Sequence, residues 1–573
     1  MLLIPATLLL FALPPLTTLA ERSGYVSTGR YDEVVALCAD FPKRYPGKVR
    51  CEKFGVSPEG RPMLALVTQG APVRPVVLIQ GGIHAGEIDG KDAGFWLLRD
   101  LLDGKAGAGV LSKLTLVFIP VLNVDGHERF GPNHRPNQNG PTQMGWRVTS
   151  ANLNLNRDHT KADAPEMAAW LKLMRKYDPI LHVDMHVTDG AKFQPDVSVT
   201  FEPQAQGPAK LAALGRSMRE SLFAELTAEG HQPLGFYPSF EKDEDPASGF
   251  SAGVAPPRFA MAYWMLHNRF GLLLETHSWK DYAHRVKATY DVVLGLLTRA
   301  AADGPAWLAA AKEADAADLA RGGTDVVLAW KNGPATRTLD FPGYAYTREP
   351  SEVSGQPWVR YDETRPQVWK VPFLPDLEPA VTARAPKGGY LVPPAHAPWV
   401  AEKLKLHSFA YSVLDKARPA AEVETFRATE TKFAAAPYEG RQRLAVKGAW
   451  ARENRDVPAG SLYVPIAQRA STLLVHLFDP LGPDSFLQWG FFNAHFEQKE
   501  YLEDYLAEEV ARRMLEDPKV KAEFEARLAG DAGFAKDSAA RLRFFSRRHP
   551  SFDERLDLYP VYRTDRPLAG LGG

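Results

Sequence analysis

From residue 31 to about residue 300, short apolar runs alternate with stretches whose apolar positions recur every three or four residues. "RPVVLIQG" (74–81), "LTLVFIPVLN" (114–123), "PILHVDMH" (179–186) and "FGLLLE" (270–275) are nearly continuous apolar runs. Such runs mark strands covered on both faces. Between them, 31–41, 93–102, 163–177, 208–230 and 282–301 read as helices. Asp163 is the expected N-cap of the third helix, Pro165 lies in its first turn, and Gly230 stops the fourth. "GVSPEGRPML" (55–64) reads as a turn. Buried strands alternating with helices predict an α/β fold, a mostly parallel mixed sheet flanked by helices. Ligands of such sheets bind beyond the carboxyl ends of the strands.

After about residue 310 the texture changes to proline, charge and short strands, as in "TRTLDFPGYAYTREP", "GYLVPP", "EVETFRAT" and "GSLYVPIAQ", followed by a helical stretch over 497–530. Residues 311–573 are therefore expected to form a second, mixed α+β region, after a first domain over 21–310. No catalytic motif stands out there, and the acids around His495 read as a solvated helix face. The junction at 300–325 reads as helix rather than flexible linker, so the second region is expected to pack on the first.

A length of 573 residues agrees with two domains. The net charge of -1, without long charged runs, gives no footprint for a nucleic-acid partner. The first twenty residues carry no charge, and Thr18 and Ala20 are small residues where a signal peptidase cuts. They read as a secretory signal cleaved after Ala20, so a periplasmic or secreted protein is expected. Pro14 and Pro15 interrupt the run, so no stable membrane span is expected. Of the two cysteines, Cys38 and Cys51, both readings stay open: a disulfide tying the first helix to the next strand, or two buried free thiols.

Polar chemistry gathers at the strand ends. His84 and Glu87 follow the first buried strand, "NVDG" (123–126) the second, His186 the third and Glu275 the fourth. A catalytic zinc keeps three protein ligands and leaves one position for water. His84, Glu87 and His186 supply that set, and Glu275, not needed as a ligand, suits the general base. The H-E-x-x-H helix of other zinc proteases is absent. His182, Asp184 and His186 share one strand face. Asp184 is thus a candidate supporter of the ligand histidine, and His182 a rival to His186.

In order along the chain stand G-x-S-x-E-G-R-P at Gly55 to Pro62, H-x-x-E at His84 and Glu87, N-x-D-G at Asn123 to Gly126, Trp146-Arg147, Asn156-Arg157, the D-x-H of Asp184 and His186, and Glu275. In these residues, roughly over 28–300, the chain resembles the zinc metallocarboxypeptidases of the carboxypeptidase A type, peptidase family M14. The resemblance implies one zinc per chain held by His84, Glu87 and His186, and Glu275 as general base and then acid. It implies that Arg147 stabilises the oxyanion and that Asn156 and Arg157 bind the terminal carboxylate of a peptide with a free C-terminus.

The chain departs from the family at two places. Asn154 stands where the family often has an aspartate behind a ligand histidine; Asp158 and Asp184 are the candidates to compensate. The family's loop tyrosine has no counterpart at the usual spacing. Tyr237 and Tyr263 are candidates for it, and Arg258 is a candidate to enter the pocket instead. The expected function is an exported zinc carboxypeptidase. Alternatives are a zinc-dependent hydrolase of peptidoglycan stem peptides, an N-acyl amino acid deacylase or amidase, and, from a different class, an inactive peptide-binding module.

Overall fold

A computed structural model describes residues 16–69, 74–204 and 206–567. Most of the expected leader, residues 1–15, lies outside them. Thr18 caps the short helix Leu19–Arg22 in a capping box with Glu21, and Ala20 is fully buried. Arg99 holds this segment through the Leu16 carbonyl and the Glu21 carboxylate.

Nine strands shape the first half: β1 Val49–Val56, β2 Pro62–Thr68, β3 Val76–Gln80, β4 Thr115–Ile119, β5 Leu181–Thr188, β6 Val197–Glu202, β7 Pro233–Leu234, β8 Phe250–Ser251 and β9 Phe270–His277. Eight of them form one sheet in the order β1-β2-β4-β3-β5-β9-β6-β7. The centre, β4-β3-β5-β9, is parallel, while β1, β2 and β6 join antiparallel. The mixed, mostly parallel sheet read from the sequence is thus observed. β3, β4, β5 and β9 are the four apolar runs, each buried along nearly its whole length, as strands covered by helices on both faces must be.

The turn read over 55–64 is the tip of the β1–β2 hairpin, with its loop at 57–61. The expected third helix begins at Pro165, with Ala164 in the cap position and no capping side chain. Asp163 is instead drawn into ion pairs with Arg441 and Lys403 of the second half. Charge pairing has displaced the capping role. Cys38 and Cys51 are joined by a disulfide that ties the helix Tyr31–Arg44 to β1.

The helix Tyr282–Asp318 runs unbroken through residue 310. Beyond it come β10 Asp325–Asn332, β11 Arg337–Pro350, β12 Pro357–Leu374 and β13 Leu377–Arg384. β11 and β12 form a long hairpin whose end pairs with β8, so one sheet is shared by the two halves. A six-stranded antiparallel sheet follows. One continuous apolar core includes Trp170 and Leu274 from the first half and Phe478 and Tyr559 from the second. The helical stretch expected at 497–530 is two helices, Asp504–Met514 and Pro518–Gly530, because Pro518 starts a new first turn after the Asp517 cap.

Candidate metal centre and substrate cleft

His84 and Glu87 sit on the tight loop after β3. Gly86 lies between them because its Cα faces backbone: a Cβ there would come within 2.7 Å of the Gly145 carbonyl. His186 lies on β5, directly beside Glu275 on β9 in the parallel register. The sheet therefore delivers one ligand candidate and the candidate base as neighbours.

His84, Glu87 and His186 are buried, and their ligand atoms lie within 4.8 Å of one another. His84 Nδ1 is 2.9 Å from Glu87 Oε1, and His186 Nδ1 is 2.8 Å from Glu87 Oε2. Both imidazoles thus turn the same nitrogen to one point. Behind them, His84 Nε2 lies 3.1 Å from Asn154 Oδ1, and His186 Nε2 lies at ion-pair distance, 2.9 Å, from Asp184 Oδ2. Ring orientation fixed from the rear, with Nδ1 atoms and a carboxylate converging in front, is what a zinc site asks of its donors. This donor set fits zinc.

The position behind His84 is filled by Asn154 itself. Its oxygen also accepts from the Asn156 N–H, at 2.9 Å. Asp184 stands behind His186 and is fixed by Gln80, whose amide donates to it at 2.9 Å. Asp158 does not take part, being paired with Lys161. His182 is buried against Trp170 outside the ligand group.

Charge shapes this centre. Burial alone would raise the Glu87 pKa, but His84 and Arg135 beside it hold the carboxyl well below its ordinary range. Burial lowers His84 to about 4, which leaves it neutral and able to ligate. Burial would also lower His186, but Asp184 beside it raises it. Glu275 is pushed up by burial, and its Oε2 has no hydrogen-bond partner among the described residues. A buried carboxyl oxygen left unpaired beside a donor cluster is available to take and return a proton.

Arg135 was not read from the sequence. It lies 3.0 Å from Glu87 Oε1 and 3.0 Å from Asp189, inside a Gly-, Pro- and Asn-rich loop without periodicity. Asp125 of "NVDG" turns away from the centre. It holds the 57–61 loop, accepting from Ser57 at 2.6 Å, the Glu59 N–H at 3.0 Å and Arg61 at 2.6 Å. Two of the recognised motifs therefore brace each other rather than the metal.

Arg147, Asn156, Arg157, His84 and Glu275 line one cavity of about 870 Å³. Arg147 reaches to 3.4 Å from Glu87. Arg157 stacks over Phe259 at 4.2 Å. The cavity wall continues through Tyr237 and Phe240 into Arg337 and Phe373 of the second half. Of the tyrosine candidates, Tyr237 lines the cavity. Enclosure and the Glu275 and Glu87 carboxylates raise its pKa. Tyr263 is buried elsewhere, with its hydroxyl 2.8 Å from His407. Arg258 pairs with Asp484 instead of entering this cavity.

Residues 34–195 match the family model described as zinc carboxypeptidase. Carboxypeptidase B of Astacus astacus is 30% identical over 99 residues, covering 17% of this chain and 33% of that protein. Carboxypeptidase A4 of Mus musculus is 32% identical over 120 residues, covering 19% of this chain and 28% of that protein. The chain thus spans about a third of the length of these curated relatives. Among solved structures, a putative carboxypeptidase A from Shewanella denitrificans aligns with a TM-score of 0.38 and 21% identity, over 48% of this chain and 69% of that one. The likeness to the zinc carboxypeptidase family, M14, thus lies in residues 34–195, the stretch that carries His84, Glu87 and His186.

Proposed function

We propose that the protein is an exported zinc carboxypeptidase that removes the C-terminal residue of peptides. One observation carries this reading: His84 of the buried His84–Glu87–His186 cluster, the Glu275 carboxyl and the cations Arg147 and Arg157 line one cavity. Zinc, held by His84, Glu87 and His186, supplies a polarised carbonyl and a water acidic near neutral pH.

The chain's own residues do the rest. Arg157 and Asn156 hold the terminal carboxylate and so place the last peptide bond near Glu275. Glu275 takes a proton as water adds to the carbonyl carbon. It then gives that proton to the leaving nitrogen as the C–N bond breaks. The Arg147 guanidinium faces the negative charge that develops on the carbonyl oxygen, where an oriented cation is worth most. The cavity beyond Arg157 receives the departing side chain. Glu202, Arg219 and Phe236 in its lining offer both charge signs and an apolar face.

Export is supported by the uncharged leader and by the Cys38–Cys51 disulfide, a bond at home in oxidising compartments. Among the described residues, no helix is long and apolar enough to cross a membrane.

The test is mass spectrometry of a mixed peptide pool incubated with the purified protein. Chelator-treated enzyme and the Glu275→Gln variant run alongside. The reading expects loss of single C-terminal residues by metal-loaded wild type alone. Intact peptides beside cleaved N-acyl amino acids would replace it with the deacylase reading.

A further inference from the structure

Residues 438–441 lie far along the chain, in the second half, yet they touch Asn154 and Arg157, and Arg157 lines the cavity. Glu439 and Gly440 both have positive φ, 49° and 77°, and Tyr438 and Arg441 bond each other across them, N–H to carbonyl, at 2.8 and 3.1 Å. This is a two-residue hairpin tip, whose handedness suits glycine at the second position. Its sides are anchored. Arg441 pairs with Asp163 at 2.6 Å, and the Tyr438 ring stacks on Trp489 at 6.0 Å with planes 11° apart. Trp489 in turn donates to Thr160 Oγ1 at 3.0 Å.

The tip meets the Asn154–Arg157 turn at two points. Arg157 Nε donates to the Tyr438 hydroxyl at 3.0 Å. The Asn154 N–H donates to Glu439 Oε2 at 2.9 Å, while the Asn154 side chain faces His84 from behind. Arg157 Nη1 is engaged with the Asn156 carbonyl at 2.7 Å, and its face rests on Phe259. Tyr438 thus fixes the rotation of the guanidinium about its last bonds, and the remaining edge is left for a ligand. Phe259 alone sets a plane and not a direction within it.

We infer that Tyr438 is a positioning residue for substrate binding, acting through Arg157, and that the second half of the chain thereby completes the carboxylate subsite. The inference rests on the reading of Arg157 as carboxylate anchor. A preorganised anchor loses less conformational freedom on binding, so the effect belongs in substrate affinity.

Steady-state kinetics on a short peptide with a free C-terminus test this, with the full chain as wild type, Tyr438→Phe and Arg157→Ala. Tyr438→Phe keeps the ring stack and removes only the hydroxyl. The expected result is a KM raised about tenfold, the scale of one lost hydrogen bond to a charged group. kcat and Tm stay within about twofold and about 2 °C of wild type. Arg157→Ala raises KM further, and in that background Tyr438→Phe adds nothing. An unchanged KM in Tyr438→Phe beside a raised KM in Arg157→Ala overturns the role of Tyr438 and leaves the anchor standing. An unchanged KM in Arg157→Ala overturns the anchor reading itself, and the inference with it. A fall in kcat or in Tm without a change in KM overturns the positioning role in favour of a structural one.

Discussion

The metal side of the cleft and its substrate side are built by different means. His84, Glu87, His186 and Glu275 come from the ends of adjacent central strands and are all buried. Their positions are fixed by the ladder of β3, β5 and β9, strands buried along nearly their whole length. The substrate side is assembled from the 235–259 segment and the β11–β12 hairpin, with the tip at 438–441 bonded to Arg157. On the proposed reading, reactivity resides in the sheet, while selectivity resides in loops and in the second half of the chain. The same division allows a scaffold to keep its chemistry while its cleft walls vary.

Four perturbations break or sharpen this contrast. The largest falls on the sheet. Glu275→Gln keeps shape but removes the proton acceptor, so kcat is expected to drop by about 10³-fold or more, with KM little changed. Arg157→Ala acts on the opposite wall and is expected to lower kcat/KM by roughly 10²-fold, chiefly through KM, as a lost charge-assisted fork does. Equal kcat losses in both variants would erase the distinction between the two sides.

Removal of the disulfide tests whether the outer edge is separate from the centre. Cys38→Ser with Cys51→Ser opens a link between residues 13 apart in sequence. Unfolding by urea should show a loss of about 3 kcal/mol, with kcat/KM retained. The smallest effect is a dependence on pH. Burial raises Glu202 from an ordinary 4.5 to about 7. The folded protein then holds a proton that the unfolded chain releases, so stability falls as pH climbs from 4.5 to about 7 and levels off above it. Glu202→Gln should flatten that slope, shifting Tm by a few degrees at pH 7.5 and hardly at all at pH 4.5.

The difference between the two sides also explains what the sequence made legible. Apolar runs announce buried strands, and the residue that follows each run lies at the binding edge, so His84, Glu87, His186 and Glu275 could be placed without a structure. Asn154 behind His84 was visible as a departure from the family pattern. That its amide oxygen itself meets the imidazole depends on a loop geometry no periodicity encodes. Arg135 left no signal beyond being an arginine in a turn-rich loop. The Glu439–Gly440 pair is readable as a turn, but 281 residues separate Tyr438 from Arg157. Contacts of that range follow from the packing of one half on the other. The same packing recruited Asp163 away from its cap, Tyr263 to His407 and Arg258 to Asp484. Local pattern fails where tertiary ion pairs and hydrogen bonds compete for the same side chains.

The central claim is that the cleft reads a free terminal carboxylate beside a metal-assisted cut. The most direct measurement uses two peptides of identical sequence, one ending in a carboxylate and one in an amide, incubated with the zinc-loaded protein and followed by mass spectrometry. The account predicts stepwise loss of the last residue from the acid and persistence of the amide, with Glu275→Gln inert on both. Equal trimming of the amidated peptide would contradict it.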